Sequence, residues 1–179
     1  MEGEAFRMCE SLKSAVLPAS LTEIGPMVFG YCDALVSITV DPENPVYHSA
    51  GNCVIETETK TLVIGCNTSR IPTDGSVTAI GDEAFGGCGL SEIVLHEGIT
   101  RLEDTAFFSC ENLKSITLPA SLRYLGEGVF NECDKLTTIH YSGSMADWEK
   151  IEKATNWNYY TTGITAYCSD GEMKVSWIP

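Results

Sequence analysis

An α/β solenoid, with short strands stacked in parallel along one face, is the fold this sequence predicts, and three observations predict it. An aromatic followed three residues later by a cysteine occurs five times, at Phe6 and Cys9, Phe29 and Cys32, Phe85 and Cys88, Phe107 and Cys110, and Phe130 and Cys133. The phrase returns at a nearly fixed interval: 23 residues separate Phe6 from Phe29 and Phe107 from Phe130, 22 separate Phe85 from Phe107, and one longer step of 56 joins Phe29 to Phe85. Within a copy the apolar residues alternate, Ile116 and Leu118 against Ser115 and Thr117, the period of a half-buried strand. No unit of this size buries its apolar side alone, whereas stacked units share one core.

In chain order, the first copy runs Phe6, Cys9, Leu12, Leu17, Pro18 and Leu21, with Ala15 where later copies carry isoleucine. The second runs Ile24, Gly25, Phe29, Cys32, Leu35, Ile38 and Val40. The longer step predicts one irregular coil at about residues 41–77. It opens on the turn cluster Asp41-Pro42-Glu43-Asn44-Pro45 and carries a hairpin of Cys53–Glu56 and Thr61–Ile64 around Thr57–Lys60. The beat then resumes, and Ile93, Ile116 and Ile139 stay in phase. Pro119 removes a ladder donor and stops its strand. The closer apolar spacing at Ala106–Cys110 predicts one turn of helix or 3₁₀ structure in each coil.

The pattern ends after Tyr141. Ser144 to Ile151 reads as a short helix with Ser144 as N-cap and Asp147 three positions on. Ile164–Cys168 and Met173–Trp177 flank Ser169-Asp170-Gly171-Glu172, a hairpin signal. Residues 1–141 are therefore expected to form the solenoid and residues 142–179 a C-terminal α/β cap, together one domain.

A balance of 11 basic against 25 acidic residues gives a net charge of −14, which repels phosphate backbones and anionic lipid at long range. Nucleic acid and membrane surfaces are poor partners for such a chain. Its first residues lack the basic and apolar regions of a leader, and Ala5-Phe6 arrives without the Ile-Gly of other copies. A fragment, or a mature region without its leader, is expected, so the missing leader does not fix the compartment.

The copy Ile80-Gly81, Ala84-Phe85, Cys88, Leu90, Ile93, Leu95, with those starting at Ile24 and Leu125, resembles the BspA-like leucine-rich repeat. Pro45–Tyr47, the hairpin and Ile71-Pro72 are similar to that family's longer irregular unit. Trp148, Trp157, Cys168 and Asp170-Gly171 are similar to its C-terminal cap. The resemblance covers nearly the whole chain. It implies a right-handed leucine-rich repeat superhelix of about six coils. It also implies a surface or secreted bacterial protein that adheres to host or neighbouring-cell proteins or glycoproteins, without catalytic residues or a cofactor. The alternative is a structural spacer within a larger surface protein.

Candidate residues follow from the repeat frame. Cys9, Cys32, Cys88, Cys110 and Cys133 share one position, so they form a column of parallel side chains, which suits neither disulfides nor metal. Buried core thiols are expected. Cys53, Cys66 and Cys168 lie off that column. Cys53 and Cys66 flank the hairpin, and both a disulfide and a mismatch of register are open. His48, His96 and His140 share no position, which argues against a catalytic or metal grouping. The aromatic residues Trp148, Trp157, Tyr159, Tyr160 and Trp177 are expected to form the core of the cap, with a sugar-binding role as the other reading. Ser37, Thr39, Glu92, Val94, Ser115, Thr117, Thr138 and His140 alternate outward on the strands and are expected to line one continuous sheet face, the candidate binding surface.

Overall fold

In the computed structural model, which describes residues 1–159, 161 and 163–175, the chain winds through six coils and the cap adds a further turn. Tyr160 and Trp177 lie outside the described residues. The first coils supply β1 (Ser14–Leu17) and β2 (Ser37–Val40), parallel, with Ser14 opposite Ser37. The irregular coil supplies β3 (Tyr47–Ala50), β4 (Cys53–Glu56) and β5 (Thr61–Ile64). Each later coil supplies two strands. These are β6 (Ala79–Ile80) with β7 (Glu92–Val94), β8 (Arg101–Leu102) with β9 (Ser115–Leu118), and β10 (Tyr124–Leu125) with β11 (Thr138–Tyr141). The cap contains α1 (Met145–Trp148), β12 (Glu152–Lys153), β13 (Ile164–Cys168) and β14 (Gly171–Val175).

The longer strands β7, β9, β11 and β13 form a parallel ladder that antiparallel β14 closes. The two-residue strands β6, β8, β10 and β12 line a second face, extended by the antiparallel meander β5-β4-β3. The expected hairpin has the expected bounds, and β3 joins it because β4 presents a free edge on which Tyr47 pairs with Glu56.

Between the two faces, consecutive turns replace the helical turn expected at Ala106–Cys110. Each such corner holds two residues of positive φ four apart: Glu4 and Met8, Met27 and Tyr31, Glu83 and Gly87, Thr105 and Ser109, Gly128 and Glu132. A helix cannot contain them. They aim alternate amides at the next coil, so Thr105, Phe107 and Ser109 donate to the carbonyls of Glu127, Val129 and Asn131 at 2.8–3.0 Å. Intercoil bonding thus continues through the corners where a helix would have closed it on itself.

Phe85, Phe107 and Phe130 are fully buried and stack face to face, 5.2 and 5.8 Å between ring centroids. Phe6 and Phe29 form a separate stack. Gly65 separates them: a β-carbon there would sit 2.0 Å from the Phe85 ring, so this ring occupies the space that a side chain of the irregular coil would need. The apolar interior is correspondingly divided into a smaller cluster that includes Leu17, Phe29, Leu35, Ile38 and Ile64, and a larger one from Cys53 and Val77 to Val175.

The cysteine column has a polar function as well as an apolar one. The thiols of Cys32, Cys110 and Cys133 each donate to the carbonyl of the phenylalanine one coil back, Phe6, Phe85 and Phe107, all at 3.1 Å. Cys66, expected off the column, belongs to it. Its carbonyl accepts from Ser69 as that of Cys32 accepts from Leu35, and the Cys88 thiol reaches back to Gly65. All eight cysteines are thiols, and those of Cys53 and Cys66 point to different carbonyls, Gly51 and Asn52. Burial pushes the Cys53 thiol up to about 11, and the Cys88 thiol is raised by the same cause. Only Cys9, on the outermost coil, is exposed. A thiol-reactive chromogen is therefore expected to modify one cysteine rapidly in the native protein, the half-buried Cys88 and Cys168 more slowly, and the other five only on unfolding. A second fast equivalent would contradict the buried column.

The cap helix starts on the expected N-cap but is a single turn that ends at Trp148, short of Ile151. Ser144 accepts from the Asp147 amide and the Asp147 carboxylate faces the Ser144 amide and hydroxyl, a reciprocal capping box. Lys150 and Ser144 hold the Asp147 carboxyl down to about 2. The β13–β14 turn is tighter than expected, only Ser169-Asp170, because Cys168 already pairs with Gly171. Trp157 and Trp148 are buried and pack edge-on, 5.9 Å apart, with Trp157 6.2 Å from Phe130. The faces of these two tryptophans are therefore inside the cap.

Candidate functional site

Ladder register sorts the outward residues of the strand face into two rows. One runs Glu92, Ser115, Thr138, Thr165 and Lys174; the other runs Val94, Thr117, His140, Tyr167 and Glu172. Inward neighbours Ile93, Ile116 and Ile139 anchor each strand in the core, and the period of two turns the rows outward. Six of the eight expected residues are brought together here.

Ser37 and Thr39 are not part of this surface. They lie on the separate β1–β2 sheet, with Ser14 and Val16 opposite them. The expected continuous face is interrupted because the irregular coil forms no strand between residues 65 and 78. Its only strands pair on the other face, Ser69 stands where other coils have leucine, and Pro72 removes a ladder donor. The ends of the break are stitched by side chains. Asn67 donates to the Asp33 carbonyl and accepts from the Gly89 amide, and Thr68 donates to the Val36 carbonyl.

The five-stranded surface is graded in chemistry. Val94 is 66% exposed at one end, short hydroxyl side chains occupy the middle, and the His140 and Tyr167 rings stack at the other, 5.7 Å apart. Sequence reasoning missed Tyr167. Its strand was legible, but 27 residues separate it from His140, so the repeat spacing does not place it in the row. Thr165 is covered by Lys174, which donates to its hydroxyl at 2.6 Å.

The second face differs. Arg101 lies 4.1 Å above the Tyr124 ring and pairs with Glu103. Burial, then the charges of Asp104 and Glu103, raise the Asp82 carboxyl, and burial with Asp82 raises Glu83. The three histidines each have a different setting: His48 beside Thr57, His96 against the Glu97 carbonyl, and His140 on Tyr167. Among the described residues no group of three or more His, Cys, Asp or Glu is arranged to hold a metal, and no helix is long and apolar enough to cross a membrane.

Stacked coils of this length, a phenylalanine column and a parallel strand face match one family model. The BspA type leucine rich repeat region fits residues 1–73 and 60–155, in 6 copies. The chain belongs to the BspA-type leucine-rich repeat family. A leucine-rich repeat protein from Eubacterium ventriosum is similar at 23% identity and a TM-score of 0.62, over 74% of this chain and 37% of that one. The pneumococcal vaccine antigen PcpA is similar at 15% identity and a TM-score of 0.59, over 89% of this chain and 51% of that one. A leucine-rich repeat protein from Bacteroides ovatus is 30% identical over 77% of this chain and 33% of that one, with a TM-score of 0.47. The BspA-type chain thus spans between a third and about half of these relatives. No curated protein matches it.

Proposed function

We propose that this chain is a noncatalytic binding module of a bacterial surface or secreted protein, contacting proteins or glycoproteins of a host or neighbouring cell. The observation that carries this reading is the unbroken outward surface of β7, β9, β11 and β13, where Ser115, Thr117 and Thr138 lie between exposed Val94 and the His140–Tyr167 stack. Short side chains let a partner approach the sheet closely, and the aromatic end offers apolar area at small entropic cost. Repeat solenoids commonly use such extended surfaces, and membership of the BspA-type family supports an extracellular setting.

The test is binding of the purified chain to immobilised extracellular matrix proteins and mucosal glycoproteins, beside a variant with Thr117→Arg and Thr138→Arg. Saturable binding that falls at least tenfold in the variant is expected. A second reading, a spacer that displays other domains, is favoured by the fraction of its relatives' length that the chain spans. Absence of binding to every immobilised protein would leave that reading in place.

A further inference from the structure

The break in the strand face leaves a feature that the outward rows do not use. β7 ends its sheet, paired on one side only, with β9. The Leu95 amide donates to the Thr117 carbonyl and the Ser91 carbonyl accepts from Lys114, so the main-chain groups of Ser91, Ile93 and Leu95 serve the ladder. Alternation turns the amides and carbonyls of Glu92 and Val94 the other way. On that side lies an open cleft of about 720 Å³, walled by Asn67–Ile71 and Asn52 opposite Leu90 and Glu92–Val94. We propose that this cleft takes an extended segment of a partner polypeptide, added to β7 as a further strand.

Four observations support that occupant. A row of amides and carbonyls at strand spacing is complementary to another extended backbone and to little else. The two walls are tied together at one corner, where Gly89 donates to Asn67 at 2.7 Å and the Cys88 thiol faces Gly65, and the cleft beside β7 is open. An extended segment is a slimmer insert than a coil of a second copy, which would bring its corners with it. Half-buried Ile71 on the wall facing β7 gives an apolar contact for a side chain of that segment. Finally, exposed Arg70 lines the cleft with no side-chain partner among the described residues, although each of the other arginines has one: Arg7 on Glu4, Arg101 on Glu103, Arg123 on the Ala120 and Leu122 carbonyls. The Arg70 guanidinium favours a segment whose carboxylate falls beside it and away from Glu92, which lines the same cleft, and so fixes the segment's direction.

The probe is a capped heptapeptide of alternating valine and threonine with one central aspartate, titrated by fluorescence anisotropy and followed by amide hydrogen exchange. Binding is expected together with slowed exchange at Glu92 and Val94. Val94→Pro removes an amide that β9 does not use, and it is expected to weaken binding at least tenfold, while Val94→Thr, which keeps the amide, does not. Arg70→Gln is expected to weaken the aspartate peptide several-fold and leave its asparagine analogue unchanged. Thr117→Arg with Thr138→Arg leaves this binding intact, so failure of the cleft and failure of the outward surface are distinguishable. Three results overturn the proposal: no binding at millimolar peptide, equal binding by a folded Val94→Pro variant, or binding with unchanged exchange at Glu92 and Val94. Concentration-dependent dimers abolished by Val94→Pro would reassign the cleft to a second copy.

Discussion

Phe107→Ala is expected to destabilise the protein by about 3–5 kcal/mol, the cost of deleting a buried phenylalanine and leaving its cavity. For a chain of this size that lowers the melting temperature by roughly 6–20 °C. Phe107 is the right position because it is fully buried and stacked on both sides, by Phe85 and by Phe130. Its loss removes contacts in three coils at once, and the turns around it are held to their neighbours by backbone bonds that limit collapse into the space. Phe6 offers the contrast. It stacks on one side only and is 42% exposed, so Phe6→Ala is expected to cost far less. Thermal denaturation of the two variants compares them directly, and equal losses would contradict the column as the main source of cohesion.

Gly65→Ala is the second large effect, and its sign runs against ordinary propensity. Replacing glycine by alanine commonly stabilises by reducing the freedom of the unfolded chain. Here the new methyl would lie 2.0 Å from the ring of Phe85, which is fully buried and has no room to retreat. Overpacking of this kind costs about 1–3 kcal/mol. The effect is a collision between two named groups, so it should depend on both. In a Phe85→Leu background the same Gly65→Ala change is expected to cost less than about 1 kcal/mol, a coupling that a double-mutant cycle measures. Equal costs in both backgrounds would mean that the glycine serves its own backbone conformation and not the ring.

These two positions also show where sequence reasoning succeeds and where it stops. The phenylalanine column was legible because each ring recurs with its cysteine and its strand, so several residues report the same phase. The strands Ser115–Leu118 and Thr138–Tyr141 were legible from alternation alone. Gly65 was not, because the coil that contains it has lost the aromatic, and the long step hides its place. One signal remained: Cys66 lies 22 residues before Cys88, the interval of the regular repeat. Following it would have placed Cys66 in the column and Gly65 beside the ring. The break in the strand face was hidden for the same reason. Outward residues on β2 and on β7 share a local pattern, and nothing in that pattern records that Ser69 and Pro72 leave the intervening coil without a strand. Strand β3 was missed because Tyr47–Ala50 has no strong β-pattern of its own and depends on its pairing with β4. The Tyr167 end of the candidate surface lies beyond the cap helix, where the repeat interval no longer applies.

The division of the interior at Gly65 has a mechanical consequence. A leucine-rich repeat solenoid pulled from its two ends carries load through each coil in turn, and each coil is secured only by its neighbours. A uniform column would yield in a single event or peel steadily from one end. This chain has two apolar blocks of unequal size, joined at a tier where no aromatic rings stack across the junction. Under tension the smaller block, with Phe29, Leu35 and Ile38, should give way first, lengthening the chain while the larger block and its cap stay wound. The irregular coil then acts as a fuse: it lets the outer coils extend and absorb work before the strand surface of β9, β11 and β13 is disturbed.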